Sequence, residues 1–314
     1  MALVKERPVA LREPRPAAEQ TGVLGLFPGE RRPPPSLARR RPAPPPAQRV
    51  VRREARDLHL GAAILALSAL ADSGIEHYRG SFHNPGMYAP LATGWTALAA
   101  SLLGLADRSA RRHPLRDLGY AASAAVGLAG LAFHAYNVTK RPGGLSWHNL
   151  FYGAPIGAPV ALTLAGFLGR YAEAVRELDE GERREAGRAL GAAVAAGLAG
   201  TIGEAALMHF RGAYHNPAMA LPVTLPPLSA ALLTAAVAKP TPRRLRLAGL
   251  LLKATTALGL IGVGFHAFGV ARNMGGWRNW RQNVLNGPPL PAPPGFTGLA
   301  LAGLAALKLM GEKP

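Results

Sequence analysis

Charge is missing from long stretches of this chain. Uncharged runs extend from Pro85 to Ala106, Leu118 to Thr139, Pro142 to Gly169, Gly212 to Ala238 and Gln282 to Leu307. Each offers the ~20 consecutive apolar residues that a bilayer-crossing helix needs. Three further stretches, near 58–76, 189–210 and 247–271, are apolar but carry a few ionisable residues. A soluble helix would show a polar face at every turn, and these segments do not. The pattern therefore predicts an all-α integral membrane protein with eight transmembrane helices. Alanine and glycine dominate the runs, so the helices are expected to approach one another closely.

The eight candidates fall into two sets of four. Glu76-His77-Tyr78-Arg79-Gly80-Ser81-Phe82-His83-Asn84-Pro85-Gly86-Met87 recurs as Met208-His209-Phe210-Arg211-Gly212-Ala213-Tyr214-His215-Asn216-Pro217-Ala218-Met219, 132 positions on. The same offset carries Asp72 onto Glu204, Pro90 onto Pro222, Phe133-His134-Ala135 onto Phe265-His266-Ala267, and Gly143-Gly144 onto Gly275-Gly276. After a two-residue insertion, Gly153 and Pro155 map onto Gly287 and Pro289. Such self-similarity reads as duplication. Four spans is an even number, so the expected arrangement is two parallel four-helix repeats about a pseudo-twofold along the membrane normal. The domains are expected at 55–180 and 181–314, with 176–188 as a charged, helix-prone linker.

Residues 1–54 read differently. The first 57 residues hold 11 prolines and 13 Lys or Arg, a composition that cannot bury enough apolar surface to offset ordering, so a disordered basic tail is expected. The net charge of +18 follows the positive-inside rule and does not call for nucleic acid as a partner. With the tail placed in the cytoplasm, 28 Lys or Arg share its side and 7 lie opposite, Lys253 falling within a span. Both termini are then cytoplasmic, the location is the cell inner membrane, and lipid headgroups account for the basic charge. No cysteine is present, which excludes disulfides, thiolate metal sites and iron–sulfur clusters.

Candidate chemistry lies in the histidines. His77, His83, His134, His148, His209, His215 and His266 all fall toward the non-cytoplasmic helix ends, and only His59 and His113 lie on the basic side. Imidazole is the commonest metal ligand and a usual haem ligand, and carboxylates inside a span mark functional sites. One reading is a pseudosymmetric metal site of His77, His83, His134, His209, His215 and His266 with Asp72 and Glu204. Another is one smaller site per repeat. His77, His134, His209 and His266 are the foremost cofactor ligands, for iron, copper or haem b. Asp72 and His77 stand about 140° apart on an ideal helix, which sets the carboxylates apart from the imidazoles. In the competing structural reading, Asn84 and Asn216 cap, the following prolines start helices, and His83 and His215 bond their own turns. Arg79 and Arg211 read as interfacial snorkelling residues, and Trp147, Trp277, Trp280, Tyr78 and Tyr152 as an aromatic belt. Three functions compete: electron transfer or oxidation of a small substrate at a histidine site, with a redox or soluble protein partner; transport between the repeats; and a non-catalytic membrane subunit.

Overall fold

The structure, a computed structural model, describes residues 46–109 and 111–311. The tail expected over 1–54 lies outside these residues as far as position 45. Every regular element among the described residues is helical: α1 (Pro46–Arg79), α2 (Ala89–Ala106), α3 (Pro114–Thr139), short α4 (Trp147–Tyr152), α5 (Gly157–Ala174), α6 (Glu180–Arg211), α7 (Leu225–Ala238), α8 (Pro242–Arg272), short α9 (Trp280–Asn286) and α10 (Pro294–Leu309). The first helix thus takes in residues 46–54, which the composition assigns to the tail. A 3-10 turn precedes α2 at Pro85–Tyr88, and another precedes α7 at Pro217–Val223.

Local sequence explains the reversals. After α1 the chain turns through Ser81 and Phe82 at φ 56° and 45°, and after α6 through Ala213 and Tyr214 at 54° and 46°. The Asn84 side chain then accepts from Gly86 N at 2.8 Å, and Asn216 from Ala218 N at 2.9 Å. Proline follows each asparagine, where its missing N–H costs nothing. The asparagine caps expected from the sequence are therefore present. A reciprocal box opens α6, in which Asp179 caps the Glu182 N–H at 2.8 Å and Glu182 accepts from Asp179 N at 2.9 Å.

Among the described residues, six helical segments are long and apolar enough to cross a membrane, at Arg53–Arg79, Pro85–Ala106, Pro114–Thr139, Gly181–Arg211, Pro217–Ala238 and Pro242–Arg272. This corrects the picture of eight like spans. The runs Pro142–Gly169 and Gln282–Leu307 are not single helices. Gly153 and Pro155 divide the first into α4 and α5, and Gly287 and the prolines at 288, 289, 291, 293 and 294 divide the second into α9 and α10. What remains is short: at 1.5 Å per residue, α10 with its 16 residues rises only about 24 Å. Burial explains why this suffices. α10 is covered along nearly its whole length by other helices, so protein and not lipid surrounds it.

In the first half α1, α2, α3 and α5 pack in a ring, each against the next, with α1 and α3 on opposite corners. In the second half α6, α7, α8 and α10 do the same, with α6 and α8 opposite. The halves meet chiefly where α10 lies on α1. There Gly61 and Gly298 bring the backbones together: a Cβ on Gly61 would stand 2.8 Å from Gly298 O. The corresponding α5–α6 contact is looser, because Leu164 and Ala193 occupy the equivalent positions. The outer surface is apolar. Trp95, Leu103, Leu118, Phe133, Leu250 and Leu260 are 60–66% exposed, a surface suited to lipid tails and not to water.

Packing differs between the two ends. Toward the basic end, Leu58, Leu65, Leu168, Leu198, Leu252 and Leu307 are almost wholly buried. Toward the histidine end, no residue is buried over 74–93, 128–137, 199–225 or 260–269. Every residue in these segments is partly or fully exposed.

Candidate functional site

Each half places two histidines at this open end, one on each of two opposite helices. His77 ends α1 and His134 lies in the last turns of α3; His209 ends α6 and His266 lies in the last turns of α8. His134 lies close enough to His77 for the two rings to interact electrostatically, and His209 likewise to His266. Each ring is fixed through Nδ1. His77 bonds Met87 O at 2.7 Å, His209 bonds Met219 O at 2.8 Å, His266 bonds Pro289 O at 2.7 Å, and His134 bonds Pro155 O. A carbonyl only accepts, so Nδ1 carries the proton and Nε2 of the neutral ring keeps its lone pair. Imidazoles that ligate metals are oriented by the same kind of bond.

His83 and His215 stand elsewhere. They are exposed, and their Nδ1 atoms bond Gly80 O and Gly212 O at 2.9 Å within their own turns, as the structural reading requires. His148 packs against the Tyr152 ring, with centroids 5.1 Å apart. Among the described residues, no three or more His, Asp or Glu side chains come together as a metal-ion site would need. The single eight-residue metal site is therefore not assembled.

Asp72 and Glu204 lie inward of the histidines, near enough for Glu204 to act electrostatically on Asp72, as Glu76 does. Glu204 Oε1 accepts from Gly157 N at 3.0 Å. Asp72 finds no such donor, because the position equivalent to Gly157 is Pro291, which has no N–H. The two halves also clasp each other at this end. The Arg281 guanidinium lies 5.7 Å from the Tyr78 ring centroid and donates to its hydroxyl, and Arg211 lies 5.2 Å over the Tyr152 ring.

The sequence reading set His59 aside, yet it is completely buried. Arg176 Nη2 donates to His59 Nε2 at 3.2 Å, which places the imidazole proton on Nδ1; that atom donates to Tyr120 Oη at 3.0 Å, and the tyrosine hydroxyl donates to Ser101 Oγ at 3.1 Å. Beside this chain, Arg116 donates to Glu173 Oε1 at 2.7 Å and to Asp107 Oδ2 at 2.6 Å. Burial by itself would raise the Asp107 carboxyl. The Ser109 N–H, the Arg116 guanidinium and the Ser109 hydroxyl outweigh it and hold the group well below the usual carboxylate range. Burial pulls the Arg176 guanidinium down from its usual range, against the opposing charges of Glu173 and Asp107. The cluster ties together the basic ends of α1, α2, α3 and α5.

A signal for this cluster existed. At the repeat offsets, His59, Ser101, Arg116, Tyr120, Glu173 and Arg176 correspond to Gly191, Leu233, Ala248, Leu252, Leu307 and Met310, all buried. Six polar residues facing six apolar or small ones mark a place where only one half has a polar interior. No protein-family model, curated protein or solved structure matches the chain.

Proposed function

We propose that the protein is a duplicated multi-pass membrane protein carrying two b-type haems for electron transfer, one held by His77 and His134 and the other by His209 and His266. A single observation carries this reading. In each half, two imidazoles on opposite helices are oriented through Nδ1 toward carbonyls, at the end where the helices carry no fully buried residue. A bis-imidazole haem needs two protein ligands and not three, and Nε2 is a normal axial donor. A haem held there would supply one-electron redox chemistry, and the surrounding apolar helices would keep water away from it. The histidine end would face away from the cytoplasm, with α5 and α10 as inner helices of two parallel four-helix repeats and both termini on the basic, cytoplasmic side. Exchange with a soluble redox protein would take place at the histidine end.

Purified protein should show a Soret band and, after haem extraction, two haems per chain. The pair His134→Ala and His266→Ala should abolish both while the protein stays folded, whereas exposed His148→Ala should retain them. A wild-type protein without stoichiometric haem defeats the proposal.

A further inference from the structure

The exposed surface of α8 is grooved near the histidine end. Ile261, Gly264, Phe265 and Phe268 line an open groove of about 420 Å³. At 3.6 residues per turn, these four positions and Arg272 fall within about 100° of arc. The three large side chains are 47–58% exposed. Gly264 leaves the floor clear, since a Cβ there would meet nothing within 4 Å. Above the groove, at the last residue of the helix, the Arg272 guanidinium stands 5.6 Å from the Phe268 ring centroid. The segment 272–293 holds Arg272, Arg278 and Arg281 and no Asp or Glu. Among the described residues, no carboxylate pairs with Arg272.

The dimensions suit one acyl chain. From Ile261 to Arg272 the helix climbs eleven residues, about 16 Å at 1.5 Å per residue, and one leaflet contributes about 15 Å of hydrocarbon. A chain lying in the groove therefore brings its headgroup to the level of the guanidinium. We infer that α8 binds one anionic phospholipid, its acyl chain along Ile261, Gly264, Phe265 and Phe268 and its phosphate on Arg272. This needs only that α8 crosses the membrane, and it stands apart from the haem reading. Guanidinium binds phosphate through two parallel hydrogen bonds, and the ring beside it favours one placement of the charge. With no acidic residue in the segment, the ammonium of a zwitterionic headgroup would find no carboxylate there. The first half repeats the cation but not the residues of the groove. Lys140 stands 5.2 Å from the Tyr136 ring centroid, the pair equivalent to Arg272 and Phe268, but Ala129 and Ala132 replace Ile261 and Gly264. That exchange removes a wall and adds a methyl group to the floor.

Native mass spectrometry of the full-length protein, delipidated in mild detergent and titrated with phosphatidylglycerol or phosphatidylcholine, tests this. Wild type should hold one phosphatidylglycerol more tightly than any further lipid and more tightly than phosphatidylcholine. Arg272→Gln should weaken that first binding about fivefold, the usual worth of one basic residue at a charged membrane surface, and abolish the preference. Gly264→Leu should fill the groove and weaken both lipids while leaving thermal unfolding in lipid-free detergent unchanged. Gly264→Ala is the milder change should the leucine variant fail to fold. Lys140→Gln should leave the first binding as it is. Equal retention of the two lipids by wild type overturns the inference, as does undiminished binding in Arg272→Gln and the Gly264 variant. A loss in Lys140→Gln equal to that in Arg272→Gln also overturns it, because general attraction to a basic surface would then suffice. So does a dimer that Gly264→Leu separates with lipid retention unaltered, which would make the groove a contact between copies.

Discussion

Arg176, just beyond α5, donates a hydrogen bond from Nη2 to Nε2 of His59 on α1 across 3.2 Å, and both side chains are buried. That bond sets the histidine tautomer and, through it, the direction of every hydrogen bond onward to Ser101. A half-bundle of small residues has little surface to interlock. This cluster gives the first half a specific register at its basic end, where the second half relies on leucines.

Removing one member should therefore cost more than removing all. Glu173→Gln leaves Arg116 short of a buried counter-charge, and the expected loss is about 3–5 kcal/mol. Installing the apolar set of the second half together (His59→Gly, Ser101→Leu, Arg116→Ala, Tyr120→Leu, Glu173→Leu and Arg176→Met) should recover most of that loss, because well-packed apolar groups often match a buried ion pair. Gly104→Ala should also destabilise, since the added Cβ would stand 2.4 Å from the His59 ring. Gly200→Ala meets nothing within 4 Å and should be neutral or slightly stabilising. Thermal unfolding in detergent decides the ordering; a six-fold variant weaker than Glu173→Gln would sink the argument.

Acid should weaken the same end. The folded Asp107 carboxyl is held below its usual range, so its contribution is complete above the unfolded value of about 3.9 and drains as pH falls toward the folded one. Asp107→Asn should lower stability at neutral pH by about 1.5–3 kcal/mol, the usual worth of a hydrogen bond to a charged group. It should also flatten the loss between neutral pH and strong acid. Equal acid slopes for wild type and variant would rule out this assignment.

Orientation can be tested separately from any cofactor. Topology reporters fused after Ser109, at the basic end, and after Asn216, at the histidine end, should report opposite sides of the membrane. The same side at both points would overturn the proposed crossing pattern.

The sequence by itself determined the class of fold, the matching of residues at offset 132, the asparagine caps and the gathering of histidines at one end. These depend on local features: uncharged length, Asn-Pro at a helix start, and the spacing of like residues. Only the tertiary structure decided three things. It divided the last run of each half, at Gly153–Pro155 and at Gly287–Pro294, because a hydropathy run does not register that proline and glycine break a helix inside protein as well as in lipid. It separated His83 and His215 from the other imidazoles, because a shared end of the bundle does not specify where each ring points. It also made His59 the centre of a buried cluster with Tyr120, Glu173 and Arg176, residues as many as 117 positions apart. In sequence they lie far apart with nothing to pair them, and their partnership exists only where α1, α2, α3 and α5 converge.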